Sequence, residues 1–194
     1  MKLLAWNCQG LGNRRAVHEL VDMVQAQGPK IVFLSETWSD KEWMEWVRCQ
    51  LKFVGCFIVP SDGRGGRLAL LWKEEDVIWV DSFSQYHIDA IVHGGSENTW
   101  CLTGFYGEPD MSRRTEGWNM LCMLNSKPKL PWCCFGDFNE LLEAKEKVVV
   151  HNGLIISCSL SEMSLMNAVL SILGISDLSS LGMFIGMANG FRSA

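Results

Sequence analysis

The sequence predicts an α+β layered domain. Two observations carry this. Near the N-terminus, short apolar runs of strand length alternate with two amphipathic helical patterns. From Phe53 onward, strand-like runs follow one another through turn-rich connections too short for a crossover helix, which is the mark of antiparallel pairing. A chain of 194 residues suits one domain with a sizeable core, so the whole of 1–194 is taken as a single unit.

KLLAWN (Lys2 to Asn7) reads as a short buried strand, and CQGLGN as the loop after it. Val17, Leu20, Val21 and Val24 recur at i, i+3, i+4 and i+7, the stripe of an amphipathic helix. Gly28-Pro29 stops that helix. KIVFLSE (Lys30 to Glu36) is a second buried strand. Ser39 with Glu42 three residues on has the form of a capping box, followed by Trp43, Trp46 and Val47 on one helical face. FVGCFIVP, RLALLW, VIWVDSF, HIDAIVH and TWCLTGFYG read as strands, separated by SDGRGG, KEED, SQY and GGSEN. RRTEGWNMLCML reads as a helix and PWCCF as another core strand. Beyond Lys147 only MNAVLSIL has a helical look; HNGLIISCSLSEMS shows no clear period.

Hydrophobic residues make up 48% and charged residues 20%, a globular rather than disordered composition. The formal charge of -5 excludes a strongly basic protein and argues against binding DNA through net charge alone. Asn7 follows the first apolar residues too soon for a secretory signal core, and no apolar run is long enough to span a bilayer. The eight Cys include no C-x-x-C pair, so they are expected to be reduced packing residues of an intracellular protein. No obligate protein partner is legible.

Two chemistries compete for the polar residues. GLGNRRA between a strand and a helix mimics a dinucleotide-binding turn, but its sixth position is Arg15 where Gly is required, and the later strands come as hairpins. The other candidate is metal-dependent phosphodiester hydrolysis. Asn7, Glu36, Tyr106, Asp137 and Asn139 sit at the ends of successive core strands, where a sheet would gather them. Glu36 can ligate a hard cation such as Mg²⁺, with the amide oxygen of Asn7 beside it. Asp137 can orient or deprotonate a water, and Tyr106 and Asn139 can donate to phosphate oxygens as charge builds. Each alone has a plainer use: a loop cap for Asn7, a solvated strand end for Glu36, an Asx turn for Asp137 and Asn139.

LLAWNCQGLGN, IVFLSET, LTGFYGEP and CCFGDFNE resemble, in order, the motifs of the endonuclease/exonuclease/phosphatase superfamily. They are most similar to the endonuclease domain of plant LINE-type (non-LTR) retrotransposons. The resemblance covers about residues 1–147, with 148–194 divergent. It implies a four-layer α/β sandwich, two mixed and largely antiparallel sheets flanked by helices, incomplete at the C-terminus. It implies a Mg²⁺-dependent phosphodiesterase, with Mn²⁺ as a substitute, that nicks DNA and therefore works in the nucleus. By position, Asn7 and Glu36 match the metal-side residues, Tyr106 the transition-state tyrosine, and Asp137 and Asn139 the Gly-Asp-x-Asn motif. Arg14 and Arg15, and Arg113 and Arg114, follow two of the catalytic strand ends and would contact DNA phosphates. Arg64 and Arg67 read as solvated turn charges.

The family pattern also includes a late Asp in an R-L-D segment and a His in an S-D-H segment, and this sequence shows neither. Ser176 to Leu178 lacks the His, Gly186 stands where Trp is expected, and His18, His87, His93 and His151 have no matching context. The expectation is an endonuclease domain impaired by truncation. The alternatives are a catalytically dead remnant with weak metal or DNA binding, and a phosphatase or phosphodiesterase acting on a small or lipid phosphate.

Overall fold

Strands β1 (Lys2–Asn7) and β2 (Ile31–Ser39) are sandwiched on both faces, which is why each reads as a nearly unbroken apolar run. They pair in parallel from Leu3 opposite Ile31 to Asn7 opposite Ser35. Helix α1 (Arg14–Gln27) makes the crossover between them and buries Ala16, Val17, Leu20 and Val24. In this computed structural model, residues 2–59, 66–74, 78–93, 99–108, 110–125, 130, 132–137 and 154–157 are described.

The caps follow side-chain chemistry. The Asn13 side chain accepts from the Ala16 backbone N–H at 2.9 Å and opens α1, while Gly28 closes it in the left-handed conformation. Asn13→Ala is expected to cost about 1 kcal/mol in chemical denaturation. Helix α2 (Lys41–Leu51) corrects the capping-box expectation. Its cap is Asp40, whose side chain accepts from Trp43 N–H at 2.7 Å. The Ser39 hydroxyl instead donates to the Thr37 carbonyl. A carboxylate one residue later is the better acceptor at a helix N-terminus.

Strands β3 (Gly55–Ile58) and β4 (Gly66–Trp72) form a hairpin added to β2, so Arg67 lies in a strand rather than in the turn. The chain then leaves this sheet. Strands β5 (Ile78–Ser84), β6 (His87–His93) and β7 (Thr99–Tyr106) build an antiparallel meander in a second sheet. A 3-10 turn (Met111–Arg113) and helix α3 (Arg114–Asn125) lead to β8 (Trp132–Asp137), which pairs in parallel with β7. Strand β9 (Leu154–Ser157) closes the first sheet antiparallel to β1, an element that the aperiodic HNGLIISCSLSEMS did not suggest. The orders are β3-β4-β2-β1-β9 and β5-β6-β7-β8.

The result is the expected α+β sandwich of two mixed sheets with helices. One core lies between the sheets, built on Leu3, Phe33, Leu70, Ile88, Leu102 and Phe135. The other lies between the first sheet and α1 and α2, on Leu4, Leu20, Leu34, Met44 and Val47. Phe33 of β2 and Phe135 of β8 meet across the inter-sheet core with ring centroids 5.7 Å apart. The Phe33 ring also fills the space over Gly104, where a Cβ would stand 2.2 Å from it.

The six described cysteines, Cys8, Cys49, Cys56, Cys101, Cys133 and Cys134, are free thiols. Burial pushes the Cys8 and Cys56 thiols up to about 12, so both stay protonated packing groups. Among the described residues, no helix is long and apolar enough to cross a membrane. The expected helix over MNAVLSIL, the late Ser176 to Leu178 and Gly186 segments, and His151, Arg64 and Asn139 lie outside the described residues.

Candidate active site

Two parallel strand pairs, one in each sheet, end at the same place. The β1–β2 register sets Asn7 beside Ser35 and hence next to Glu36, while the β7–β8 register sets Tyr106 beside Asp137. Packing the sheets face to face joins the two pairs. The Asn7 side-chain nitrogen donates to Asp137 Oδ2 at 2.8 Å and to Glu36 Oε1 at 3.1 Å. The Tyr106 hydroxyl donates to the same Glu36 oxygen at 2.6 Å. Asp137, Asn7, Glu36 and Tyr106 thus form one hydrogen-bonded chain. The two bonded carboxylate oxygens are no farther apart than the sum of the two Asn7 bonds.

Three of the four reach this place by strand alternation. Asn7 continues the inward positions of Leu3 and Ala5, Tyr106 those of Leu102 and Gly104, and Asp137 those of Cys133 and Phe135. Asn7, Tyr106 and Asp137 are buried, and Glu36 is half-buried. Glu36 breaks the rule. It should share the helix-side face of Val32 and Leu34, but its φ is +53° and the pairing of β2 with β4 slips between Ser35 and Ser39. The twist turns its carboxylate towards Asn7 and Tyr106.

Gln9 and Trp38 also have positive φ, +44° and +47°. Such conformations cost on the order of 1–3 kcal/mol each in non-glycine residues and persist only where neighbours impose them. Here the neighbours are visible. The loop after β1 and the end of β2 are laced by Cys8 N–H to Ser35 O at 3.1 Å, Gly10 N–H to Glu36 O at 2.8 Å and Leu11 N–H to Thr37 O at 2.8 Å. The Trp43 indole N–H of α2 donates to Leu11 O at 2.8 Å and clamps the loop from the helix side.

The amide of Asn7 is turned differently from the sequence expectation. Its nitrogen faces the two carboxylates, and its oxygen accepts from the Gln9 backbone N–H at 3.3 Å. The reason is electrostatic: two carboxylates that approach one amide call for its donor. A half-turn of the amide exchanges the roles and offers the oxygen to a cation. Gly136 is set by a close approach of strands. At φ +144° it lies inside β8, and a Cβ there would stand 1.9 Å from the Phe105 carbonyl oxygen. It is glycine because β7 comes too close, and that approach sets the position of Asp137.

The arginines divide. Arg14 and Arg15 open α1 in the loop that follows Asn7 and are exposed, with Arg15 paired to Glu19 at 3.2 Å. Arg113 is taken up by Glu108 at 3.8 Å, Glu116 at 3.6 Å and the Tyr86 hydroxyl at 3.1 Å. A phosphate would compete there with two carboxylates. The hydrogen bond from Tyr86 also holds the Glu108 carboxyl below its ordinary range. Arg114 begins α3. Of the histidines, His87 is buried against Ser84 at 2.8 Å, whereas His18 and His93 are exposed on α1 and at the end of β6. Sequence reasoning passed over Gln9 and Trp38. Trp38, two residues beyond Glu36 in one strand, was the available signal.

The donor set suits a hard divalent cation. Among the described residues, no group of three or more His, Cys, Asp and Glu side chains gathers. Two carboxylates and an amide do gather, and one or two carboxylates with several waters is how Mg²⁺ is commonly held. Both described bonds to Glu36 fall on Oε1, which leaves Oε2 for a cation.

A model of the Endonuclease/Exonuclease/phosphatase family matches residues 4–147. The chain belongs to that family. No curated protein matches it in sequence. Among solved structures, it is similar to the endonuclease domain of TRAS1, a telomere-specific non-LTR retrotransposon, at 16% identity and a TM-score of 0.54, over 89% of this chain and 70% of that one. It is similar to the human Nocturnin catalytic domain at 13% identity and TM-score 0.53, over 72% and 65%. It is similar to an AP endonuclease from Archaeoglobus fulgidus at 18% identity and TM-score 0.53, over 74% and 59%. The chain therefore spans about 59% to 70% of the length of these three. At such identities the likeness is one of fold. Family members are nucleases and phosphodiesterases, and its nucleases generally use divalent metals.

Proposed function

We propose that this family member is a Mg²⁺-dependent phosphodiester hydrolase that nicks DNA, of the kind carried by LINE-type retrotransposons, with Mn²⁺ able to substitute. The observation that carries it is the joining of Asn7, Glu36, Tyr106 and Asp137 from both sheets in one hydrogen-bonded chain. DNA as the substrate is supported by the four motifs that resemble plant LINE endonucleases, and by the retrotransposon endonuclease among the structural neighbours. Such an enzyme would act in the nucleus.

Glu36 and Asn7 would hold the cation, which supplies positive charge against the phosphate oxygens when bound. Asp137 accepts a proton from the attacking water as the water oxygen bonds to phosphorus, and the bond to the leaving ester oxygen breaks with its electron pair on that oxygen, which takes a proton from solvent. Tyr106, whose O–H donates to Glu36 Oε1 in the structure, turns that O–H to a phosphate oxygen as negative charge grows. Before the cation binds, the Asn7 side-chain nitrogen bridges the two carboxylates. Asn139, two residues after Asp137, is proposed as a further donor to phosphate. Arg14 and Arg15 contact the DNA backbone beside the site, as Arg113 and Arg114 do once phosphate displaces the Arg113 carboxylate partners.

The test is conversion of supercoiled plasmid to nicked circle with Mg²⁺, and with EDTA as the control. Plasmid left supercoiled with both Mg²⁺ and Mn²⁺ would refute the nuclease function. Glu36→Gln is expected to weaken Mg²⁺ binding in isothermal titration by at least the roughly 10- to 100-fold that loss of an outer-shell partner costs. Equal affinity in variant and parent would remove Glu36 from the metal site.

A further inference from the structure

Trp38 is exposed where a strand end is otherwise buried. It is 55% exposed between Thr37 at 0% and Ser39 at 4%. Its backbone stands in the left-handed region at φ +47°. The ring is not loose. It lies over Gly10, where a Cβ would stand 2.9 Å from Cε3 and 3.3 Å from Cζ3. Gly10 in turn is tied to β2 through its N–H to Glu36 O at 2.8 Å. The indole is therefore backed by Gly10 on one side, in a residue that is more than half exposed.

Its place is tied to the candidate active site. Trp38 lies two positions beyond Glu36, so their α-carbons are at most about 7.6 Å apart. Gly10, which backs the ring, is three residues from Asn7 in the loop laced to β2. The open aromatic plate thus sits on the same strand as Glu36 and against the loop that follows Asn7. Stacking is what such a plate offers a base, and it is tolerant of sequence because every base has a π face. Arg14 and Arg15 on the following helix turn add positive charge along the same loop.

We infer that Trp38 is a stacking platform for an unpaired nucleobase next to the phosphate bound at Asn7, Glu36, Tyr106 and Asp137. This rests on the proposed nuclease function and deepens it. A base can use the plate only when it is out of the duplex stack, so Trp38 favours DNA that is frayed, single-stranded or distorted beside the nick. Trp38 is a positioning residue, and it takes no part in proton transfer.

The test uses the full chain in EDTA, so that binding is read without cleavage. Fluorescence anisotropy measures the affinity of the parent, Trp38→Ala and Trp38→Phe for a labelled single-stranded oligonucleotide, and for the same strand carrying a run of abasic residues. Trp38→Ala is expected to bind the base-bearing strand about 5- to 150-fold more weakly, the range of one lost base stack. Trp38→Phe should recover most of that, and on the abasic strand parent and Trp38→Ala should bind alike. Circular dichroism checks that the variants are folded. Equal binding of the base-bearing strand by parent and Trp38→Ala overturns the inference, as does an equal loss on both strands. If the parent nicks plasmid while either of those results is found, the stacking role alone falls. A parent that neither binds the oligonucleotide nor nicks plasmid overturns both.

Discussion

Asp137→Asn is expected to slow Mg²⁺-dependent plasmid nicking by about 10²- to 10⁴-fold, the usual contribution of a general base. The substitution is nearly isosteric. The carboxamide oxygen can still accept from the Asn7 side chain, which donates to Asp137 at 2.8 Å in the native chain. What is lost is the negative charge and with it the capacity to take a proton from water. Asp137 is only 4% exposed, and removing a charge from such a place does not of itself unfold a protein. The nicking rate should therefore fall while the thermal midpoint stays near that of the parent. A rate within tenfold of the parent would show that the proton goes elsewhere. A fall matched by loss of structure would point to Asp137 as a structural anchor.

Phe135→Ala is expected to cost about 3–5 kcal/mol in urea denaturation, the range for large aromatic deletions from a core. Phe135 is fully buried and meets Phe33 of the other sheet at 5.7 Å between centroids. Phe33 is itself seated over Gly104, directly beside Phe135 in the β7–β8 register. Deleting the ring leaves a hole beside Phe33, whose own ring is already seated against the neighbouring Gly104. The loss should also reach the site, since Gly136 and Asp137 follow on the same strand. A cost below about 1 kcal/mol would mean that the sheets are not held together at this pair.

The core strands were legible because burial on both faces writes itself as continuous apolar sequence. KLLAWN, HIDAIVH, TWCLTGFY and WCCF all became strands close to where they read as strands, while VIWVDSF became the edge strand β5, in which half-buried and exposed residues alternate. The same logic could not tell which sheet each strand joins. RLALLW and VIWVDSF look like neighbours, yet β4 and β5 lie in different sheets, because a short connection serves a crossing between layers as well as a hairpin. Leu154–Ser157 was missed for the opposite reason. It is too short to carry a period and is made a strand by the open edge of β1.

At the site, period-two alternation was enough to aim Asn7, Tyr106 and Asp137 inward, since a side chain two residues beyond a core residue faces the same way. Meeting across the sheets was beyond it, because that depends on the layers packing through Phe33 and Phe135. Glu36 depended on the tertiary structure altogether. By alternation its carboxylate belongs on the helix side with Val32 and Leu34. The hydrogen bonds from Gly10 and Leu11 to the end of β2, clamped by Trp43, hold it at φ +53° and turn it into the cleft. A strained backbone angle is imposed by contacts distant in the chain, and no local pattern of residue types encodes those contacts.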